Sequence, residues 1–494
     1  MPADLELDDL AGTGAARHPQ RIAVEIGELK ITYAAFAADV ARMSAVLAAG
    51  GLKPGNRFGI ASDDPYLSWL ATLAGFRIGA VSVAVADITP AEIADRLTLA
   101  VIATSHTGLP ERIGAASRRV TIDFAAMQAA RERDVPARSP AAASQAGRIL
   151  LSSGTTGRPK AVLLDATRLV ATVATNQSRY SIDAQSRLFS LLGPNTGAGF
   201  RSVPLTWWQG GTVILRSGRS IRATAVAART ANRILLSPAS LASLLSGLAA
   251  DATPVPNLTV FVGGGRLSPN VRKDAEARLS TDLRIIYGAS EIGGMCQCPA
   301  AALDDEPGLV GVPRPGVTIE IVDDDGRLLP RGTVGIVRIR ADTMVNSYLD
   351  DPAATAAAFR DGWFYSGDVG KLMADGALVV SGRSNDVLNL GGVKLSPEDI
   401  EIQLAGMTGL ADVCVVSLPD AAGSEVLTVA AVTAPGTAWR DLKDAIVAAL
   451  HRHREVAVYR VDHIPRNAMG KIPRDAFRQR LMEAVAAEQP PTSS

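Results

Sequence analysis

Leu151-Ser152-Ser153-Gly154-Thr155-Thr156-Gly157-Arg158-Pro159-Lys160 is the most informative stretch of this chain. Small hydroxyl and glycine residues follow an apolar run and are closed by two cations. Small side chains free backbone N–H groups to wrap an anion, hydroxyls add donors, and Lys/Arg neutralise charge. In physical terms this is a polyphosphate-binding loop; the plain alternative is a polar hairpin. It is not a Walker A loop, which wants Gly where Pro159 stands and Ser/Thr where Ala161 stands. Residues 161–164 read as a strand, so the loop joins strand to strand.

Outward from it, apolar runs at 81–86, 148–151, 162–164, 258–262 and 283–287 read as strands. Residues 33–49, 223–232 and 270–279 carry helical spacing. This alternation predicts βαβ units with parallel sheet. After Pro313 the texture changes to antiparallel hairpins: 317–322, the turn Asp323-Asp324-Asp325-Gly326, and 334–339. From Gly382-Arg383 onward the pattern is compact. Ser396-Pro397-Glu398-Asp399 places an N-cap Ser and an N1 Pro before a helix over 400–406, and strands 413–416 and 427–432 and a helix over 441–450 follow. The expected fold is α/β: a large N-terminal body over 1–382, with two βαβ-type sheets and a small β-barrel-like part, and a small α+β C-terminal domain over 383–494. The Ala-rich stretch 116–146, with Pro136 and Pro140, reads as a surface excursion, and 489–494 as a loose tail.

Fifty Lys plus Arg balance fifty Asp plus Glu over 494 residues. A nucleic-acid binder usually carries a basic excess, so the balance argues against that class. No run of about 20 apolar residues is present to span a bilayer. Residues 1–10 are acidic, without the basic and apolar regions of a secretory signal. Three cysteines, Cys296, Cys298 and Cys414, suit a reducing cytoplasm. Cys296-Gln297-Cys298 lacks a second ligand pair, so incidental thiols are favoured over a metal site.

Further motifs follow in order. Val262-Gly263-Gly264-Gly265-Arg266-Leu267 allows close backbone approach of a planar ligand. Tyr287-Gly288-Ala289-Ser290-Glu291 ends a strand with an aromatic face, a hydroxyl and a carboxylate. Gly362-Trp363-Phe364-Tyr365-Ser366-Gly367-Asp368 ends on a second carboxylate, and Gly382-Arg383-Ser384-Asn385-Asp386 supplies a cation. Near the end stands Pro465-Arg466-Asn467-Ala468-Met469-Gly470-Lys471-Ile472-Pro473-Arg474. Together with Ile31-Thr32-Tyr33, this series resembles the adenylate-forming superfamily: acyl-CoA synthetases, luciferase-like enzymes and peptide-synthetase adenylation domains. The resemblance covers essentially the whole chain.

It implies two half-reactions. A carboxylate attacks the α-phosphate of ATP, giving an acyl-adenylate and pyrophosphate; a thiol then takes the acyl group. By resemblance, Ser152, Ser153, Gly154, Thr155, Thr156, Gly157 and Lys160 hold phosphates, and Glu291 with Thr155 holds Mg²⁺, a hard ion suited to oxygen ligands. Gly263, Gly264, Gly265, Tyr287, Gly288, Ala289 and Ser290 surround the nucleotide, Asp368 meets the ribose hydroxyls, and Arg383 adds a second ribose or phosphate contact. Lys471 is the expected catalytic lysine, stabilising charge at the α-phosphate. The C-terminal lobe would rotate about Asn385, a position where many relatives carry Asp or Lys, bringing Asn389, Gly391 and Gly392 to a thiol channel.

The expected acid pocket is Asn195, Phe200, Gly263, Gly288 and Gly293. Residues 193–202 lack the Asp that amino-acid-activating domains use, so an α-amino acid is disfavoured. Asn195 suits a substrate hydroxyl or carbonyl; equally, it suits a local turn. Gly293 and Gly294 suggest room for more than acetate. CoA is the expected acceptor, with a carrier protein as the alternative and a catalytically idle nucleotide binder as the third reading. Arg452 and Arg454 suit the CoA 3′-phosphate or an ordinary solvated face. No carrier-domain sequence follows Lys471.

Overall fold

A computed structural model describes residues 6–85, 96–105, 117–131, 134–138, 140–152, 159–384, 386, 388–390, 393–420, 424–453, 455–466 and 472–488. Four sheets organise them. In a six-stranded sheet, Arg118–Thr121, Val101–Thr104, Arg57–Ala61, Val81–Ala84 and Gly147–Ser152 run parallel, and Lys160–Asp165 closes it antiparallel to Gly147–Ser152. Ser152 pairs with Lys160, so the loop leaves and re-enters at one sheet end, strand to strand as expected.

The largest sheet has a parallel centre of Ile22–Ile26, Thr212–Leu215, Arg187–Ser190, Arg233–Leu236, Thr259–Gly263 and Asp282–Ala289. Gly293–Pro299 turns back antiparallel, and Leu309–Pro313, Leu378–Arg383, Trp363–Leu372, Gly335–Ala341 and Val317–Val322 continue in series. The expected barrel-like part is therefore an open antiparallel extension. Its last strand ends a sheet edge, and each strand bonds onward to the parallel centre, so nothing closes.

The core explains the aliphatic composition and its few aromatics. Tyr33–Ala49 buries Tyr33, Phe36, Val40, Met43 and Leu47, one helical stripe. Phe36 and Trp69 pack on Trp207, and Phe200 stacks on Trp69. The Ala-rich stretch is more than an excursion: Arg118–Thr121 is an edge strand of the six-stranded sheet and buries Val120.

After Arg383 a smaller domain builds its own cores. Leu410–Pro419, Glu425–Thr433 and Val456–Arg460 form a three-stranded sheet, covered by Pro397–Leu404, Trp439–Ala449 and Arg474–Glu488. Ser396 caps as expected, its Oγ accepting from Asp399 N–H at 3.3 Å. Arg266, just after the triple glycine, ion-pairs with Asp399 and donates to the Val380 carbonyl at 3.2 Å. The small domain thus rests on the glycine loop.

Candidate active site

The C-terminal ends of parallel strands are where open α/β sheets bind ligands, and here four of them carry the motifs. Gly147–Ser152 feeds the phosphate loop, whose residues 153–158 lie outside the described residues. Arg187–Ser190 leads to Asn195, Thr259–Gly263 to the triple glycine, and Asp282–Ala289 to Ser290-Glu291.

The five residues 287–291 hold two separate polar clusters. At one end the Tyr287 hydroxyl donates to Asp368 Oδ2 at 2.5 Å. Arg383, the registered neighbour of Asp368, places Nε 3.1 Å from Oδ1. Asp368 is buried, so this pairing offsets the cost of a desolvated charge. Burial and the adjoining carboxylate hold the Tyr287 phenol well above its ordinary pKa. The hydroxyl therefore stays a donor. Sequence reasoning expected only an aromatic face from Tyr287.

At the other end Glu291 is buried, and its Oε1 accepts from the Tyr348 hydroxyl at 2.8 Å. No partner among the described residues takes Oε2. Lys160 Nζ sits 4.9 Å from the Tyr348 ring centre, within cation–π range. Mg²⁺ typically uses one or two carboxylates and takes its remaining ligands from substrate phosphates and water. Glu291, a carboxylate with one oxygen left open, fits that demand. Among the described residues no group of three His, Cys, Asp or Glu side chains forms a self-sufficient metal site.

Behind residues 287–294 stands a set of arginines that sequence reasoning missed. Arg201 Nη2 donates to the Ser290 carbonyl at 2.9 Å, Arg179 Nη2 to the Tyr287 and Cys296 carbonyls at 3.2 and 2.6 Å, and Arg314 Nε to the Gly294 carbonyl at 2.6 Å. Arg201 is 1% exposed and burial pulls it down to about 10. Its Nε has no partner among the described residues. Each guanidinium clamps backbone carbonyls and orients the motif. A lone cation inside the apolar run Ala198-Gly199-Phe200-Arg201-Ser202-Val203 was the available signal, since arginine is seldom fully buried without a partner.

Two acid-pocket expectations change. Phe200 is 1% exposed and packs on Trp69, Phe76 and the Arg148 guanidinium. It faces the core because the helix Gly197–Trp208 buries nearly every position. The room expected beside Gly294 is filled: a Cβ there would lie 1.7 Å from Arg179 Nη1. At Gly293, with φ +100°, an added Cβ would lie 3.8 Å from the Arg201 guanidinium. Asn195 is exposed, while neighbouring Thr196 caps the helix through the Gly199 N–H at 3.1 Å. Gly263 lies against Ile286, where a Cβ would meet Cγ1 at 2.5 Å; Gly264, Gly265 and Gly288 are exposed. Ala289 and Ser290 are half-buried beside them.

Lys471, Asn385, Gly391 and Gly392 lie outside the described residues, as does the Asn389 side chain. The flanks of 467–471 are anchored. Arg466 pairs with Asp412 at 2.7 Å, and Arg474 grips Glu401 through two bonds of 2.5 and 2.7 Å.

Comparison with known proteins places the chain in a family. The sequence pattern of the AMP-binding enzyme family matches residues 13–349. The chain is 28% identical to the fatty acid–[acyl-carrier-protein] ligase MmaC of Mycobacterium marinum, covering 96% of each. It is also 28% identical to the indoleacetate–CoA ligase of Aromatoleum aromaticum, covering 69% of this chain and 68% of that protein. Its fold matches the o-succinylbenzoate CoA synthetase MenE of Bacillus subtilis in complex with its acyl-adenylate, with a TM-score of 0.83 at 22% identity over 95% of this chain and 98% of that one. Among the described residues no helix is long and apolar enough to cross a membrane. The chain belongs to the AMP-binding enzyme family.

Proposed function

We propose that this chain is an ATP-dependent acid–thiol ligase, activating a carboxylic acid as its acyl-adenylate with release of pyrophosphate and passing the acyl group to CoA. The observation that carries this reading is that one five-residue strand end, 287–291, holds a ribose-type carboxylate cluster and a phosphate-side carboxylate cluster together. A nucleotide laid along it meets Asp368 with its sugar and Glu291 with its phosphates.

The chain's own groups perform positioning and charge stabilisation, which dominate chemistry at phosphorus. Asp368, fixed by Tyr287 and Arg383, accepts from the ribose hydroxyls. Lys160 and the loop 152–157 hold the β- and γ-phosphates, and Glu291 with Thr155 would hold Mg²⁺, which when bound neutralises phosphate charge. Lys471 stabilises the charge that develops as the carboxylate oxygen attacks the α-phosphorus and the bond to pyrophosphate breaks. In the second step the thiolate sulfur attacks the acyl carbon and AMP leaves. Residues 383–494 act as a lid turning near Asn385, which exchanges Lys471 for the Asn389, Gly391 and Gly392 segment. The Arg266–Asp399 contact must break in that turn. We place the reaction in the cytoplasm, where free thiols stay reduced.

A carrier-protein thiol is the second reading, favoured by the name of the Mycobacterium marinum relative. Thioester formation measured with CoA and with a phosphopantetheinylated carrier protein separates the two. Faster turnover and an acyl-CoA product support CoA; an adenylate discharged only by the carrier protein supports the second reading.

Asn195, exposed at the mouth of its loop, is assigned to substrate selection. Asn195→Ala is expected to change relative kcat/KM between hydroxylated and plain acids by about 10-fold, the scale of one lost neutral hydrogen bond, with ATP KM unchanged. An unaltered acid profile would return Asn195 to an ordinary turn role.

A further inference from the structure

Residues 345–351 tie the two large sheets together at the site. On one side the Val345 N–H donates to the Glu291 carbonyl at 2.9 Å, and the Tyr348 hydroxyl donates to Glu291 Oε1 at 2.8 Å. On the other, the Leu349 N–H donates to the Ala161 carbonyl at 2.8 Å, one residue past Lys160. Arg57 pairs with Asp350 at 3.0 Å and Arg96 with Asp351 at 3.6 Å, both reaching from the six-stranded sheet's side. Asp350 has φ 54°, a conformation uncommon outside glycine. Tyr348 itself is buried, its ring on Phe359 at 5.3 Å and under the Lys160 ammonium.

A tyrosine buried only for packing needs no particular acceptor. This one spends its hydroxyl on one oxygen of the carboxylate that the site offers to a cation. A carboxylate is acceptor-only, so the phenol donates, and that fixes which oxygen remains open. We propose that Tyr348 is a positioning residue that holds Glu291 with Oε2 turned to the metal–nucleotide complex, and that the same ring seats Lys160 on the phosphate side. This rests on the adenylate-forming reading. Groups that orient a metal ligand through a hydrogen bond are worth about 10- to 100-fold in metal affinity. Glu291 supplies one metal ligand among several, so the lower end applies here.

The test uses the full chain. Tyr348→Phe keeps the ring and removes only the donor. It is expected to raise the half-saturating Mg²⁺ concentration for pyrophosphate release about 10-fold, with kcat largely restored at high Mg²⁺. Calorimetric titration gives a second readout: Mg·ATP binding weakens, whereas AMP binding without metal stays within about twofold, because AMP contacts neither Glu291 nor Lys160. Thr355→Val is the structural control, since Thr355 Oγ1 accepts from the Tyr348 N–H at 3.0 Å without touching Glu291. It should lower the unfolding temperature and leave the Mg²⁺ dependence alone. Equal weakening of Mg·ATP and AMP in Tyr348→Phe, an unmoved Mg²⁺ dependence, or a Thr355→Val shift as large as that of Tyr348→Phe overturns the proposal. If the wild-type chain releases no pyrophosphate with any acid, the functional reading fails. The calorimetric comparison still decides the role of Tyr348.

Discussion

Alanine in place of Lys471 is expected to slow carboxylate-dependent pyrophosphate release by about 10²–10³-fold, the cost of removing one preorganised stabiliser of transition-state charge. The affinity for ATP should change little. In the proposed mechanism the ribose contacts fall to Asp368 and Arg383, and the phosphate contacts to Lys160 and the loop 152–157. Lys471 is assigned to charge that appears only as the α-phosphorus is attacked, so its loss belongs in kcat rather than in ATP binding. Thioester formation from a preformed acyl-adenylate should survive, since in the proposed mechanism the lid presents its other face in that step. Rapid-quench measurement of adenylate beside an ATP titration checks both halves. Normal adenylate formation would remove Lys471 from the mechanism. The anchored flanks, Arg466 on Asp412 and Arg474 on Glu401, make a collapse of the small domain in this variant unexpected, and its unfolding temperature should match the wild type.

Asp368→Ala is the second large effect, and it acts on binding. The two charge-assisted hydrogen bonds proposed from Asp368 to the ribose, at about 1.5–3 kcal/mol each, imply a loss of about 3 kcal/mol or more. That is at least about 100-fold in AMP affinity. The substitution also strands Tyr287 and Arg383. A buried donor left without its partner costs about 1–3 kcal/mol, so the unfolding temperature should fall as well. Asp368→Asn separates the two effects: it can still accept from Tyr287 but puts no charge opposite Arg383. Nucleotide affinity should fall in both variants, with the larger stability loss in Asp368→Ala. Retained AMP affinity in both would place the ribose elsewhere.

How far the sequence reached can be judged residue by residue. The strand-to-strand frame of the loop was legible because an apolar run flanks it on each side, while residues 153–158 themselves lie outside the described residues. Ser152 and Lys160 prove to be registered partners on adjoining strands. The cap at Ser396 and the helix Tyr33–Ala49 were legible because capping and helical periodicity are local. Tyr348 was not, because its partner lies 57 residues away and nothing in Asn346-Ser347-Tyr348-Leu349 distinguishes a positioning phenol from a core one. The same distance problem hid the second role of Tyr287, whose acceptor is 81 residues on. Phe200 and Gly294 failed for a different reason. Which face a residue turns to the core depends on what packs there, here Trp69 for one and Arg179 for the other, and composition near a pocket carries no sign of that. The barrel-like expectation failed because hairpin pattern fixes strand pairing but not closure, and beyond Gly335–Ala341 the edge strand Val317–Val322 bonds to the local segment at Leu328 and Leu329, not to another strand, among the described residues.

The central claim is that the two clusters on 287–291 serve one ATP-consuming activation of a carboxylate. Its most direct measurement is isotope exchange between pyrophosphate and ATP, run on the full chain with Mg²⁺ and a panel of carboxylic acids in the absence of any thiol. The account predicts exchange that depends on the acid, needs no CoA, and is lost in Lys471→Ala. ATP turnover that is indifferent to every acid, or that yields ADP and phosphate instead of AMP and pyrophosphate, would contradict it.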